Sequence, residues 1–261
     1  MIKLEKVLVT GGRSGIMKNV IDKIKDSYII YLTVHTEKQL EEVKTIYKEN
    51  KNIICFKLDV TNKKDREKIK DLDIDIFISN AAIGSGGSIL TMPIEKMKEN
   101  FEVNVFSNFE LVKLVIQKMI EKSSGKIIII SSLASILPIP FLGSYCATKS
   151  SISMITNALR KEIKYISKDI KIVLVEPGMY HTGFNQVMLD NKYNIENSYF
   201  KNNRNEIRDK ENFFFNLIEK QDLSSVSNKI YKIIKAQNPR FRYRVPFFQA
   251  LGCKLYQIFK M

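Results

Sequence analysis

Tyr145 and Lys149, in "SYCATKSS", stand four residues apart, which on a helix puts them on one face, one turn from each other. An ammonium beside a phenol favours the phenolate and lowers a pKa that starts at about 10. Such a tyrosine can act as a general acid or base close to neutral pH. Ser132, thirteen positions upstream in "IIIISSLAS", follows the most apolar run of the chain. A hydroxyl there can donate a hydrogen bond to a substrate oxygen while Tyr145 supplies the proton. Each feature also has a plain reading: a solvated helix face for the Tyr–Lys pair, a strand-end turn for the serine.

A second constellation opens the chain. "TGGRSGIM", Thr10 to Met17, follows the apolar run "KVLVT". Gly11 can make a tight turn, and Gly15 lets a helix N-terminus come close to a ligand. The N–H groups from Gly12 to Ile16 would then face a pyrophosphate, helped by the helix dipole. The spacing is G-x-x-x-G rather than the G-x-G-x-x-G fingerprint, so on these residues alone a phosphate cradle and an ordinary turn stand equal. Met17 occupies the place of the fingerprint's third glycine, which packs helix against strand. The expectation is that Met17 pushes the helix slightly outward or turns to solvent.

These residues need a scaffold, and the hydrophobic pattern supplies one. "KVLVT", "YIIYLTV", "NIICFKLDV", "DIFISNAA", "GKIIIISS" and "KIVLVEPG" are short, apolar throughout and rich in Ile and Val. Continuous apolar runs suit strands buried on both faces. Helical patterns separate them, over 15–26, 37–50, 63–71, 94–118 and 145–166. The alternation predicts an α/β fold, a doubly wound parallel Rossmann-type sheet in a single domain over 1–261. Ligands in such sheets bind at the carboxyl ends of the strands, where the motifs above fall. The polar segment 183–221 breaks the rhythm, and its aromatic knot Phe213, Phe214 and Phe215 suits a substrate lid or a surface excursion equally.

Composition narrows the function classes. With 261 residues, 44% hydrophobic and 27% charged, the chain has an ordinary globular balance. No apolar run approaches a membrane span, and "MIKLEK" does not read as a secretory signal, so a cytoplasmic location is expected. The cysteines Cys55, Cys146 and Cys253 are scattered, and His35 and His181 are the only histidines, which argues against disulfides and a catalytic metal. The net charge of +14 suits nucleic acid or an anionic surface, yet no nucleic-acid motif accompanies it. After Asp222 the chain has basic residues and no acidic one.

Taken together, the motifs resemble the short-chain dehydrogenase/reductase family. "TGGRSGI" at 10–16, "LDVT" at 58–61, "NAA" at 80–82, Asn104 in "FEVNVF", "SSLAS" from Ser131, "YCATK" at 145–149 and "PGMYHT" at 177–182 occur in family order and spacing, from Val7 to about Thr182. The resemblance implies that Ser132 holds the carbonyl oxygen and Tyr145 donates or accepts the proton. Lys149 lowers the tyrosine's pKa and binds the nicotinamide ribose, and Asn104 carries a water relay toward Lys149. It assigns Gly11, Arg13, Ser14, Gly15 and Ile16 to the cradle, and Asp59 and Val60 to the adenine edge. Asn80 and Ala81 belong to the cofactor-facing loop, and Pro177, Gly178 and Thr182 lie near the nicotinamide. Met17 and Ala82 depart from the family's glycines.

The second strand run ends at Val34, His35 and Thr36 without a carboxylate. NAD-preferring sites carry one there. Arg13, Ser14 and His35 can instead surround a 2′-phosphate, so NADP(H) is expected over NAD(H), although Arg13 also reads as a loop charge facing solvent. Leu133, Ile136, Leu137, Pro138, Phe141, Met179, Tyr180 and Phe184 lie near the site in sequence, either lining a greasy pocket or packing the core. The expectation is an NADPH-dependent reductase of a small hydrophobic ketone or aldehyde. The alternative is a non-catalytic dinucleotide-sensing protein. In the tail 238–261, Phe248, Leu251, Leu255 and Ile258 fall at helical spacing beside Lys254 and Lys260. A basic amphipathic end can lie on a membrane or form a subunit interface. The resemblance favours the interface, since it implies a homodimer or homotetramer.

Overall fold

The computed structural model describes residues 4–13, 15–192 and 199–259. Seven parallel strands run in the order β3-β2-β1-β4-β5-β6-β7: β1 (Lys6–Val9), β2 (Ile29–Val34), β3 (Ile53–Lys57), β4 (Ile76–Ser79), β5 (Gly125–Ile130), β6 (Ile170–Pro177) and β7 (Arg242–Val245). The order reverses direction between β1 and β4, so the carboxyl ends of those two strands bound the switch-point crevice.

Continuous apolar runs make these strands because side chains alternate between two buried faces. Val7, Val9, Ile128 and Ile130 enter one core; Leu8, Ile127 and Ile129 enter the other. The first core is closed by α1 (Gly15–Ile24), α2 (Glu37–Tyr47) and α9 (Ser224–Lys235); the second by α5 (Asn108–Glu121) and α6 (Gly143–Ile163). The short α3 (Lys63–Glu67) is capped by the Asn62 side chain.

The helix expected over 94–118 is divided into α4 (Ile94–Phe101), a π-helical turn Glu102–Ser107 and α5. The turn carries Asn104, and π-turns of this kind inside helices often accompany function. Beyond β6 come α7 (Phe184–Lys192) and α8 (Arg204–Ile218) within the segment 183–221, then α9, β7 and α10 (Phe247–Phe259). The "RFRYRVP" run thus supplies the last strand and the tail a helix.

Met17 departs from expectation. Its side chain is 1% exposed and belongs to the core between α1 and the sheet. The close approach of α1's start to the sheet is made at Gly12 instead, where a Cβ would come within 2.1 Å of the Leu32 Cδ1 atom of β2. With glycine there, the chain descends near enough for Met17 to pack inward.

Candidate active site

The carboxyl ends of β1, β4, β5 and β6 open on one cavity of about 1740 Å³. It is lined by Gly11, Arg13, Gly15, Ile16, His35, Asp59, Val60, Asn80 and Ala81 along one half, and by Ser132, Tyr145, Lys149, Pro177, Gly178 and Thr182 at its centre. Sequence reasoning named all of these; Ser14 lies outside the described residues.

The first half is held by polar ties. Gly11 and Gly15 have φ of +65° and +60°, which L side chains rarely adopt. A Cβ on Gly15 would sit 3.1 Å from Thr182, and one on Gly11 3.2 Å from Ala81. Asn80 Nδ2 donates to the carbonyls of Thr10 (3.1 Å) and Gly11 (3.0 Å), while the Asn80 and Ala81 N–H groups both donate to Thr10 Oγ1. This sews the turn after β1 to the end of β4. The glycine turn, opened against the N-terminus of α1, is a groove that side chains would fill, and it fits a dinucleotide's pyrophosphate.

At the outer edge, Arg13 Nη1 is paired with Glu42 Oε2 of α2 at 3.0 Å. His35 Nε2 lies 3.5 Å from Asp59 Oδ2. Burial works against ionisation of Asp59, but hydrogen bonds from the Thr61 hydroxyl and N–H, with His35 beside it, hold its pKa below the ordinary carboxylate value.

The centre joins β5 to α6. Ser132 caps a short 3₁₀ turn, its Oγ accepting from the Ala134 N–H at 3.1 Å, and is hydrogen-bonded to the Tyr145 phenol. Lys149 Nζ lies 5.6 Å from the Tyr145 ring centroid and donates to the Ile130 carbonyl at 3.4 Å. Burial pushes the Lys149 ammonium down to about 8. Burial also raises the Tyr145 phenol, and the Ser132 bond offsets this only in part. The lowered tyrosine pKa expected from the i,i+4 spacing is therefore not what this arrangement gives. Desolvation of the phenolate is the largest influence on Tyr145, and Lys149, itself desolvated, does not reverse it.

Asn104 is fully buried. Its Oδ1 accepts from the Ile83 N–H (2.8 Å), and its Nδ2 donates to the Ile83 carbonyl (2.9 Å) and Thr148 Oγ1 (3.2 Å). A small void of about 10 Å³, bounded by Asn104, Ser79, Asn108 and Lys149 among others, lies behind the centre.

The other half of the cavity is mainly apolar, with Lys210, Glu211 and Lys220 among its lining. Leu133, Leu137, Pro138, Phe141, Met179, Tyr180 and Phe184 line it as expected, whereas Ile136 does not. The Phe184 ring stands 5.8 Å from that of Tyr145. Met188 of α7, Phe215 of α8 and Phe248 of α10 also line it, and no sequence signal assigns Met188 there.

Two further residues escaped notice. Gln249 of α10 accepts from the Met179 N–H (2.8 Å) and donates to the Ile218 carbonyl (2.8 Å), joining α10, α8 and the loop after β6. Glu176, 1% exposed, accepts from Ser153 (2.9 Å), Ser135 (3.3 Å) and Arg244 (2.7 Å). Its one visible signal is a carboxylate inside the apolar run "KIVLVEPG".

A family model described as short chain dehydrogenase matches residues 5–192. The chain belongs to the short-chain dehydrogenase/reductase family of oxidoreductases. Among its relatives is a 3-ketodihydrosphingosine reductase of Bacteroides thetaiotaomicron, 29% identical over 261 aligned residues, covering 95% of this chain and 90% of that protein. An NADPH-dependent 3-dehydrocapnine reductase of Ornithobacterium rhinotracheale is 26% identical over 67% of this chain and 65% of that protein. A solved short-chain dehydrogenase/reductase from Burkholderia phymatum, in complex with NAD, superposes with a TM-score of 0.83 over 98% of this chain and 94% of that one, at 18% identity. This last likeness is one of fold. The family's fold binds nicotinamide dinucleotides, and the enzyme is an oxidoreductase.

Proposed function

We propose that this oxidoreductase uses NADPH to reduce the keto group of a long, apolar substrate, with Tyr145 as the proton donor. The observation that carries the reading is the position of Ser132, Tyr145 and Lys149, at the seam where a polar, glycine-walled groove meets an apolar chamber within one cavity. The Bacteroides relative is named for reduction of 3-ketodihydrosphingosine and the Ornithobacterium relative for NADPH-dependent reduction of 3-dehydrocapnine; both names favour a ketone, and the second favours NADPH. The absence of a carboxylate at Val34, His35 and Thr36, with Arg13 and His35 at the groove's edge, supports the same cofactor. A 2′-phosphate would replace Glu42 as the partner of Arg13.

A nicotinamide bound here would supply a hydride to the carbonyl carbon. Gly11, Arg13, Gly15, Ile16, Asn80 and Ala81 would hold the phosphates, Asp59 and Val60 the adenine side, and Pro177, Gly178, Thr182 and Lys149 the nicotinamide end. Ser132 Oγ donates to the carbonyl oxygen, which fixes it against the phenol. Burial keeps Tyr145 protonated at neutral pH, so its hydroxyl holds the proton until negative charge builds on the substrate oxygen and then transfers it. Lys149, near pKa 8, can return a proton to the phenolate. The void beside Asn104 has room for about one water, which supports a relay from Asn104 to Lys149. Helices α7 and α8, whose Met188 and Phe215 line the cavity with Phe184, would act as the lid, and residues 193–198 of the expected lid lie outside the described residues. Exposed Phe106, Met154 and Ile155 support association into dimers or tetramers through the α5–α6 side.

The test is consumption of NADPH and NADH with ketones of graded chain length. The specificity constant should rise by up to about fourfold per added methylene until the chamber is filled, and NADPH should outperform NADH. Equal turnover of short polar ketones would contradict the apolar chamber as the substrate site.

A further inference from the structure

Helix α10 touches the body along a narrow stripe and turns most of its apolar surface outward. Cys253 is buried and Gln249 is tied to Met179 and Ile218. Phe247, Phe248, Leu251, Leu255, Ile258 and Phe259, by contrast, are 41–80% exposed. On a 13-residue helix this is a strip about 20 Å long, and contiguous exposed apolar surface of this kind marks an interaction site.

Two observations say what covers it. The first is charge. Helix α10 carries Lys254 and no acidic residue, while Arg242 and Arg244 of β7 are paired with the buried Glu176. A two-fold contact along α10 would bring Lys254 toward its own copy, whereas an anionic layer complements it. The second is continuity with the cavity. Phe248, Gly252 and Tyr256 of α10 line it together with Phe215 and Leu217 of α8. Leu217 and Phe213 are themselves strongly exposed, so α8 and α10 present apolar side chains both outward and to the chamber.

We propose that α10, with the adjoining edge of α8, docks on an anionic lipid surface and turns the mouth of the cavity toward it. A helix with a broad apolar face flanked by lysine lies in the plane of such an interface. No helix among the described residues is long and apolar enough to cross a membrane, so the contact is peripheral. This goes beyond the reductase reading and is tested without turnover.

The full chain is sedimented with vesicles of phosphatidylcholine alone and of phosphatidylcholine mixed with phosphatidylglycerol. The wild type should co-sediment with the anionic vesicles at low salt. A Leu255→Ser, Ile258→Ser double variant should lose at least about tenfold in partition, since each buried side chain is worth that or more. Lys254→Glu should lose less. An unchanged melting temperature and circular dichroism spectrum would show the double variant to be folded. Wild type that stays in the supernatant with both vesicles overturns the proposal, as does equal partition onto neutral vesicles. So does an oligomer that the double variant dissociates, because the strip would then be a subunit interface. None of these results bears on the reductase reading, which is measured by NADPH consumption.

Discussion

The two halves of the cavity are built by different means. In the polar, glycine-walled half, positions are fixed by directional bonds: Asn80 to Thr10 and Gly11, Asn104 to Ile83, glycines where a Cβ would crowd its neighbours. In the apolar half, Leu133, Phe141, Phe184, Met188, Phe215 and Phe248 offer dispersion and little direction. Unsatisfied buried polar groups are costly, so the first half tolerates few residue types. Apolar packing accepts many side chains of similar volume, so the second can change shape while the chemistry stays put. Conserving the one while varying the other is how a single fold can serve many substrates.

The sharpest way to break this division is at the seam. Tyr145→Phe should preserve melting temperature and NADPH affinity while lowering turnover by about 10²–10⁴-fold, the range for a positioned acid. Retention of more than about half the activity, read from single-turnover reduction, would remove Tyr145 as the donor.

Next in size is a change beneath the polar, glycine-walled half. Because Met17 is core, Met17→Gly should cost about 3–5 kcal/mol of stability by denaturant unfolding, from a cavity and from a glycine inside a helix. Unaltered stability with tighter NADPH binding would mean that the glycine pattern at position 17, rather than the packing seen at Gly12, governs the cradle.

Lys149 gives a pH-dependent effect. Burial lowers its folded pKa to about 8 from the ordinary 10.5, so between those values the unfolded chain binds more protons than the folded one. Stability from this group is therefore lowest below about pH 8 and is recovered as pH rises toward 10.5. The gain of wild type relative to Lys149→Met over that window should reach up to about 3 kcal/mol. A flat difference in melting across the window would show the amine to be solvated.

The smallest expected effect is at the groove's edge. Arg13→Ala with His35→Ala should narrow the NADPH:NADH preference by about tenfold or more, as charge-assisted bonds to the 2′-phosphate are lost. An unchanged ratio would place recognition of that phosphate elsewhere.

What the sequence revealed follows the same division. The strands were legible because burial on both faces makes "GKIIIISS" or "KIVLVEPG" apolar without a break. That the motif residues share one cavity was legible because glycine, Asn80 and the Tyr145–Lys149 pair stand out by type and spacing. Met17 misled because its packing depends on how closely Gly12 approaches Leu32, a tertiary distance. The Tyr145 pKa misled because i,i+4 spacing fixes neighbours but not desolvation. Gln249 and Met188 were hidden, since nothing in a polar or apolar residue of α10 or α7 announces what it meets across the fold. Glu176 left a trace, a charge in a buried strand, whose partners Ser153 and Arg244 only the fold brings together.

The central claim is that this cavity transfers a hydride from NADPH to a long-chain ketone, and isotopic transfer measures it most directly. NADPH carrying deuterium at the transferable position of its nicotinamide is incubated with a long-chain 3-ketone and the wild-type enzyme, and the alcohol is examined by mass spectrometry. The expected product carries one deuterium on the carbinol carbon and all but disappears with Tyr145→Phe. An unlabelled alcohol, or no alcohol from the long-chain ketone while a short polar one is reduced, would contradict the claim.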